Sequence, residues 1–174
     1  GHRITLRIGG VSSHDVHHMS EPPRPRTYLV VLDNSAEARV ALRFAARRAV
    51  RTGGTVSLLA IVPRAEFSQW GGVQAAMEAE AEDRAQGLVS QVAGELLDEA
   101  GIRPAITVRQ GDPVEAVRAQ LAEDSVDALV LGAPAKGGPG PLVGHFAGEA
   151  TGTLPCPVMV IPGALTDEAL DRLS

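Results

Sequence analysis

Residues 27–62 have the sequence TYLVVLDNSAEARVALRFAARRAVRTGGTVSLLAIV, in which two short apolar runs flank a longer segment of helical periodicity. The runs at 27–32 and 55–62 are rich in Val, Leu and Ile and predict buried strands. The segment 36–51 predicts a helix with alanines on its inner face, and Gly53 supplies a stop for it. This stretch therefore predicts a β-α-β unit, whose two strands are parallel.

The rest of the chain repeats this alternation. A long helix is predicted over 73–100, with five apolar residues in the core at helical spacing: Val73, Met77, Leu88, Val92 and Leu96. An edge strand is predicted at 105–109, where Ile106 and Val108 alternate with outward-facing Thr107 and Arg109. A helix at 112–123 and strands at 126–132 and 157–162 complete the series. The order predicts an α/β fold with a doubly wound parallel sheet.

Composition narrows the classes of function. The chain of 174 residues is 44% hydrophobic but only 3% aromatic, which fits one aliphatic core. A net charge of −5 argues against nucleic acid as a partner. The single cysteine, Cys156, excludes an intrachain disulfide framework, and we expect it to be a packed thiol rather than a nucleophile. No apolar run approaches the roughly 20 residues that span a bilayer, so we expect a cytoplasmic protein that does not bind membranes.

The N-terminal region differs from the remainder. Residues 1–26 carry four of the five histidines and end in a proline-rich spacer, so we interpret them as a leader or flexible segment rather than a metal site. Alternation at Ile4, Leu6 and Ile8 leaves open that this segment adds to a sheet edge. The folded domain is predicted at 27–163, followed by a short helical tail at 164–174.

Five segments together resemble universal stress proteins: the first strand with Asp33 and Ser35 after it, VSLLAIV, RQGDPVEAV, VDALVLG and LPCPVMVIP. The similarity runs in unbroken order over residues 27–162. It implies an open five-stranded sheet of order 3-2-1-4-5 in a three-layer sandwich of the adenine-nucleotide alpha-hydrolase type. It also implies homodimers along the last strand (157–161) and, in some members, ATP with Mg²⁺ at the switch point of the sheet.

The loop after the fourth strand carries the family's phosphate pattern in altered form. ATP-binding members have Gly, two residues, Gly, nine residues, and then Gly followed by Ser or Thr. Here Gly132 and Gly144 match, whereas Ala135 replaces the second glycine, the spacer of 136–143 has eight residues, and His145 replaces the hydroxyl residue.

Glycines let backbone N–H groups approach phosphate, so Gly137, Gly138 and Gly140 offer another path for an anion nest. Lys136, the only lysine of the chain, would be the counter-charge. The alternative is a proline-stiffened surface loop that has lost the site.

Three further residues follow strands one and two. The resemblance implies that Asp33 contacts adenosine and that the backbone of Val62 meets adenine, and Ser35 is a further candidate for contact with the ligand. The residues themselves allow another interpretation, in which Asn34 and Ser35 cap the next helix with Glu37 as capping-box partner, and Val62 is core. Asp112 and Pro113 indicate the start of a helix.

The sequence does not support an enzyme. It has no P-loop pattern, no G-x-G-x-x-G after the first strand, and one histidine, His145, within the predicted domain. The leading hypothesis is a cytoplasmic, dimeric stress-response module that binds an adenine nucleotide. The competing hypothesis is a dimeric scaffold of the same fold that binds no nucleotide and contacts a protein partner through the loop.

Overall fold

A computed structural model describes residues 24–64 and 71–174, and five parallel strands within them form one sheet. The strands are β1 (Thr27–Leu32), β2 (Thr55–Val62), β3 (Ala105–Gln110), β4 (Ala128–Ala133) and β5 (Val158–Pro162). Their order is β3-β2-β1-β4-β5, and every neighbouring pair is parallel. The predicted fold class and strand order are confirmed. Most of the predicted leader, residues 1–23, lies outside the described residues.

Helices cover both faces of the sheet. They are α1 (Ala36–Thr52), α2 (Gly71–Ala100), α3 (Pro113–Glu123), α4 (Gly140–Gly144) and α5 (Asp167–Leu173). One core cluster joins α1, α2 and α5 to the sheet, and a second joins α3 and the segment after α4 to the opposite face. Successive residues of β1 divide between them, so that Val30 belongs to the first cluster and Leu29 to the second. Both clusters are mainly aliphatic, as the composition predicts.

Local sequence explains the ends of these helices. Gly53 ends α1 in the left-handed conformation, with φ of 67°, which a side chain would disfavour. The Asp112 carboxylate accepts a hydrogen bond from the Glu115 N–H at 3.0 Å and caps α3, in which Pro113 is the first residue. These two boundaries confirm the predictions made from the turn and cap residues.

Helix α2 is longer than the sheet beneath it. Its 30 residues span about 45 Å at about 1.5 Å per residue, whereas the eight residues of β2 span about 26 Å. Val92 and Leu96 are buried as predicted, and Leu88 packs against the core. Val73 and Met77 are 53% and 43% exposed, so the prediction that they belong to the core is wrong. They lie in the first two turns of a helix that the sheet cannot cover along its whole length.

The edge strand β3 differs from the prediction at Ile106, which is 43% exposed although it was expected to face the core. Thr107 and Arg109 are half-buried instead, because their side chains meet α3. Arg109 Nε donates to Gln120 Oε1 at 2.8 Å, and Gln120 Nε2 donates to Thr107 Oγ1 at 3.4 Å. The buried amide of Gln120 therefore supplies hydrogen-bond partners to both polar residues of β3 on the α3 side of the sheet. Val108 packs against the first core cluster, as predicted.

Candidate functional site

A cleft of about 270 Å³ opens at the carboxyl ends of β1 and β4. The strand order reverses between these two strands, and ligands of open α/β sheets bind at such a switch point. Val31, Leu131 and Gly132 form part of its wall at the strand ends. Its volume is just below the range for small-molecule pockets, roughly 300–1,000 Å³.

Asp33 and Ser35 line the cleft and also build the start of α1. The Ser35 hydroxyl accepts a hydrogen bond from the Ala38 N–H at 3.1 Å, so Ser35 is the N-cap. Asp33 Oδ1 accepts from the Ser35 N–H at 2.8 Å. Because the N-cap N–H is bonded to Asp33, the predicted capping box with Glu37 is wrong. Glu37 lies one position too early for that role and lines the cleft.

Gly132 is required by packing. A Cβ atom at this position would lie 2.3 Å from the Glu37 carbonyl oxygen and 2.5 Å from its carbonyl carbon. Strand β4 therefore approaches the first turn of α1 at a distance that only glycine permits. This close approach joins the two sides of the cleft, whether or not a phosphate binds there.

The loop after β4 has the backbone of a tight turn. Gly137 and Gly140 have φ of 86° and 82°, values that favour glycine. No non-glycine residue among those described has a positive φ, so Ala135 fits its position without strain. Lys136, Gly137 and Gly138 are exposed and do not line the cleft.

The end of the phosphate pattern faces α3 rather than the cleft. The His145 ring nitrogen Nε2 lies 2.6 Å from the Arg118 guanidinium, which can only donate, so Nε2 accepts. His145 Nδ1 lies 3.5 Å from Glu149 Oε1 on the other side. A Cβ atom built on Gly144 would meet no atom within 4 Å. Gly144 is therefore exposed and His145 is paired with α3. Neither residue lines the cleft.

The structure thus brings together three of the ten predicted site residues, Asp33, Ser35 and Gly132, in the lining of one cleft. Val62 is 3% exposed and lies in the core, while its neighbours Ile61 and Pro63 reach the cleft. Gly140, which was predicted with Gly137 and Gly138 as part of an anion nest, also lines the cleft. The other predicted residues stand outside the lining: Ala135, Lys136, Gly137, Gly138, Gly144 and His145. Their contacts with a ligand stay predictions.

Sequence reasoning missed most of the lining. Glu37 was considered only as a capping residue, and five prolines contribute surface: Pro63, Pro113, Pro134, Pro139 and Pro141. Apart from the density of prolines after β4, the sequence contains no pattern that indicates this arrangement. Over residues 24–64 and 71–174, no group of three or more His, Cys, Asp or Glu side chains is arranged to hold a metal ion.

Cys156 lies apart from the cleft and packs partly against the second core cluster. Burial raises the pKa of its thiol, the charge of Asp127 raises it further, and a hydrogen bond from the Leu129 backbone opposes the shift. A raised pKa keeps the thiol protonated and unreactive near neutral pH. The geometry agrees with the predicted packed thiol.

The model of the universal stress protein family matches residues 25–162. The chain belongs to this family. No curated protein sequence matches it significantly. The matched region of this universal stress protein ends at Pro162, the last residue of β5. Helix α5 lies beyond the matched region.

Solved structures show the same fold. UspA from Lactobacillus plantarum has a TM-score of 0.66 at 20% identity, covering 80% of this chain and 99% of its own. A universal stress protein from Burkholderia pseudomallei has a TM-score of 0.63 at 17% identity, covering 78% and 95%. One from Arabidopsis thaliana, solved with AMP bound, has a TM-score of 0.53 at 17% identity, covering 83% of this chain and 95% of its own.

In the part of this universal stress protein that the structure describes, no helix has the length and hydrophobicity to cross a bilayer.

Proposed function

We propose that this universal stress protein is a binding module that holds the adenosine part of an adenine nucleotide in the cleft between β1 and β4. The observation that carries the proposal is the joint position of Asp33, Ser35 and Gly132 in the lining of one cleft at the switch point. The Arabidopsis thaliana relative, which has AMP bound, supports adenine compounds as the ligand class.

The chemistry of the cleft suits a nucleoside. Its apolar lining, including Val31, Ile61 and Leu131, offers contacts to the faces of a base. Asp33 Oδ1 is engaged by the Ser35 N–H, which leaves the other carboxylate oxygen to accept from a ribose hydroxyl or an amino group. Binding rather than turnover is proposed, because the described residues that line the cleft include no nucleophile paired with a base.

ATP with Mg²⁺ is the ligand that the resemblance to ATP-binding members implies. Asp33 and Glu37 are the carboxylates in the described lining, and Mg²⁺ is usually held by one or two carboxylates together with substrate phosphates. These two residues would hold the ion, which would neutralise phosphate charge when bound.

The test is calorimetry of the purified chain with adenosine, AMP and ATP, the last with and without Mg²⁺. Mass spectrometry of small molecules released on denaturation would identify any compound that copurifies. We expect dissociation constants below 1 mM for at least one adenine compound, and loss of that binding in Asp33→Ala. The absence of binding by all of them at millimolar concentration would contradict the proposal.

A second candidate function is a dimeric scaffold that binds no nucleotide. It is favoured by the exposure of Lys136, Gly137 and Gly138 outside the cleft, where they are available to a protein partner.

For either function we propose a homodimer along β5. The outer edge of β5 pairs with no strand among the described residues, and its Val160 is 37% exposed. We place this stress-response role in the cytoplasm, since a single cysteine fits a reducing compartment.

A further inference from the structure

Prolines form much of the cleft wall. Five of its lining residues are proline, and three of these, Pro134, Pro139 and Pro141, belong to the loop to which the family pattern assigns phosphate binding. A proline has no backbone N–H, and backbone N–H groups are what a glycine-rich loop offers to phosphate oxygens. At these positions the cleft offers hydrocarbon rings instead.

The charged side chains that line the cleft also disfavour phosphate binding. Asp33 and Glu37 line it, whereas no Lys, Arg or His is among its described lining residues. Lys136 is exposed outside the cleft. Glu37 forms no ion pair within residues 24–64 and 71–174. Two carboxylates with no cationic side chain beside them in the described lining repel a ligand with several negative charges and attract hydrogen-bond donors.

We propose that this cleft selects uncharged purine nucleosides over nucleotides, so that adenosine binds more tightly than AMP, and AMP more tightly than ATP. This rests on the proposed function, because it concerns the same cleft. Proline and aliphatic side chains pack on the faces of the base, and the free oxygen of the Asp33 carboxylate accepts a hydrogen bond from a ribose hydroxyl or the amino group. Each phosphate added to the ligand adds repulsion and meets neither a cation nor an N–H group at the three proline positions.

The first experiment compares adenosine, AMP and ATP by calorimetry at two salt concentrations, with and without Mg²⁺. We expect adenosine to bind about tenfold more tightly than metal-free ATP. Salt screens charge repulsion, so the affinity for ATP should rise between 50 and 500 mM NaCl, whereas a cationic phosphate site would lose affinity. ATP or Mg²⁺-ATP that binds more tightly than adenosine, or ATP affinity that falls with salt, would overturn this inference but leave the proposed function standing.

The second experiment removes one charge from the cleft. Glu37→Gln should raise the affinity for metal-free ATP about three- to tenfold and change the affinity for adenosine less than twofold. Glu168→Gln is the matched control, because Glu168 is the second residue of α5 after its N-cap, as Glu37 is in α1, and lies outside the cleft. It should change neither affinity.

A Glu37→Gln protein whose preference between ATP and adenosine equals that of the parent would refute the role of this charge. If no adenine compound binds the parent, the proposed function fails and this inference fails with it. That outcome differs from a parent that binds ATP best, which overturns the inference alone.

Discussion

The substitution Gly132→Ala tests whether this glycine is required by the fold. The added Cβ would lie 2.3 Å from the Glu37 carbonyl oxygen, about 1 Å closer than ordinary van der Waals contact. Both atoms nearest to the new methyl group belong to the backbone of Glu37, so no side-chain rotation relieves the clash. Either the first turn of α1 or the end of β4 must move. Overpacking of this kind costs about 1–3 kcal/mol, and we expect about 2–3 kcal/mol here because backbone must shift.

The assay is urea and thermal unfolding followed by circular dichroism. For a chain of this length, about 1 kcal/mol shifts the melting temperature by about 2–4 °C, so Gly132→Ala should lower it by roughly 4–12 °C. Gly144→Ala is the control from the same motif, because its φ of −57° is helical and a Cβ there meets no atom within 4 Å. It should be neutral or stabilise by up to about 1 kcal/mol.

The two variants separate packing from ligand binding, since both are measured without ligand. A Gly132→Ala protein within about 0.5 kcal/mol of the parent would refute the packing argument. An equal decrease in the free energy of unfolding in both variants would show that the destabilisation comes from the loop rather than from the contact between Gly132 and α1.

Three further outcomes are expected. Leu170→Ala should destabilise the fold by about 2–4 kcal/mol in urea, because Leu170 of α5 is 1% exposed in the first core cluster; a neutral result would make α5 a dispensable tail. Val160→Lys should convert a two-fold dimer, with an interface of roughly 1,200–2,000 Å², to a monomer by light scattering, and a monomeric parent would contradict the β5 interface. Cys156 should react with iodoacetamide more slowly than in urea at pH 8, because burial raises the pKa of its thiol. Because folding raises this pKa, the thiol contributes to the free energy of unfolding at pH values below its unfolded-state pKa, and this contribution is lost as the pH rises through its native-state pKa. A free energy of unfolding that stays unchanged through that range would count against the raised pKa.

Local patterns were sufficient to predict the elements and the class of the fold. Strands such as β1 and β2 are short apolar runs, helix α1 has a regular apolar face, and Gly53 and Asp112 provide stop and cap. These properties depend on residues within a few positions of one another, so the chain alone expresses them. The predictions for Val73, Met77 and Ile106 failed because burial depends on what lies opposite a residue, which periodicity does not record.

Of the candidate site, the sequence predicted Asp33 and Ser35 after β1 and Gly132 in β4, which the structure places in the lining of one cleft, but it did not indicate most of the other lining residues. Glu37 and Gly132 are neighbours only because β4 pairs with β1 and its end meets α1. Pro63 after β2, Pro113 at the start of α3 and Pro134 after β4 all line the cleft although they are far apart in the sequence. No local pattern encodes such distances, so the tertiary structure alone decided that prolines and carboxylates occupy the cleft while Lys136 stays outside it. The physical reason is that a ligand responds to the groups that surround it in space, whichever part of the chain supplies them.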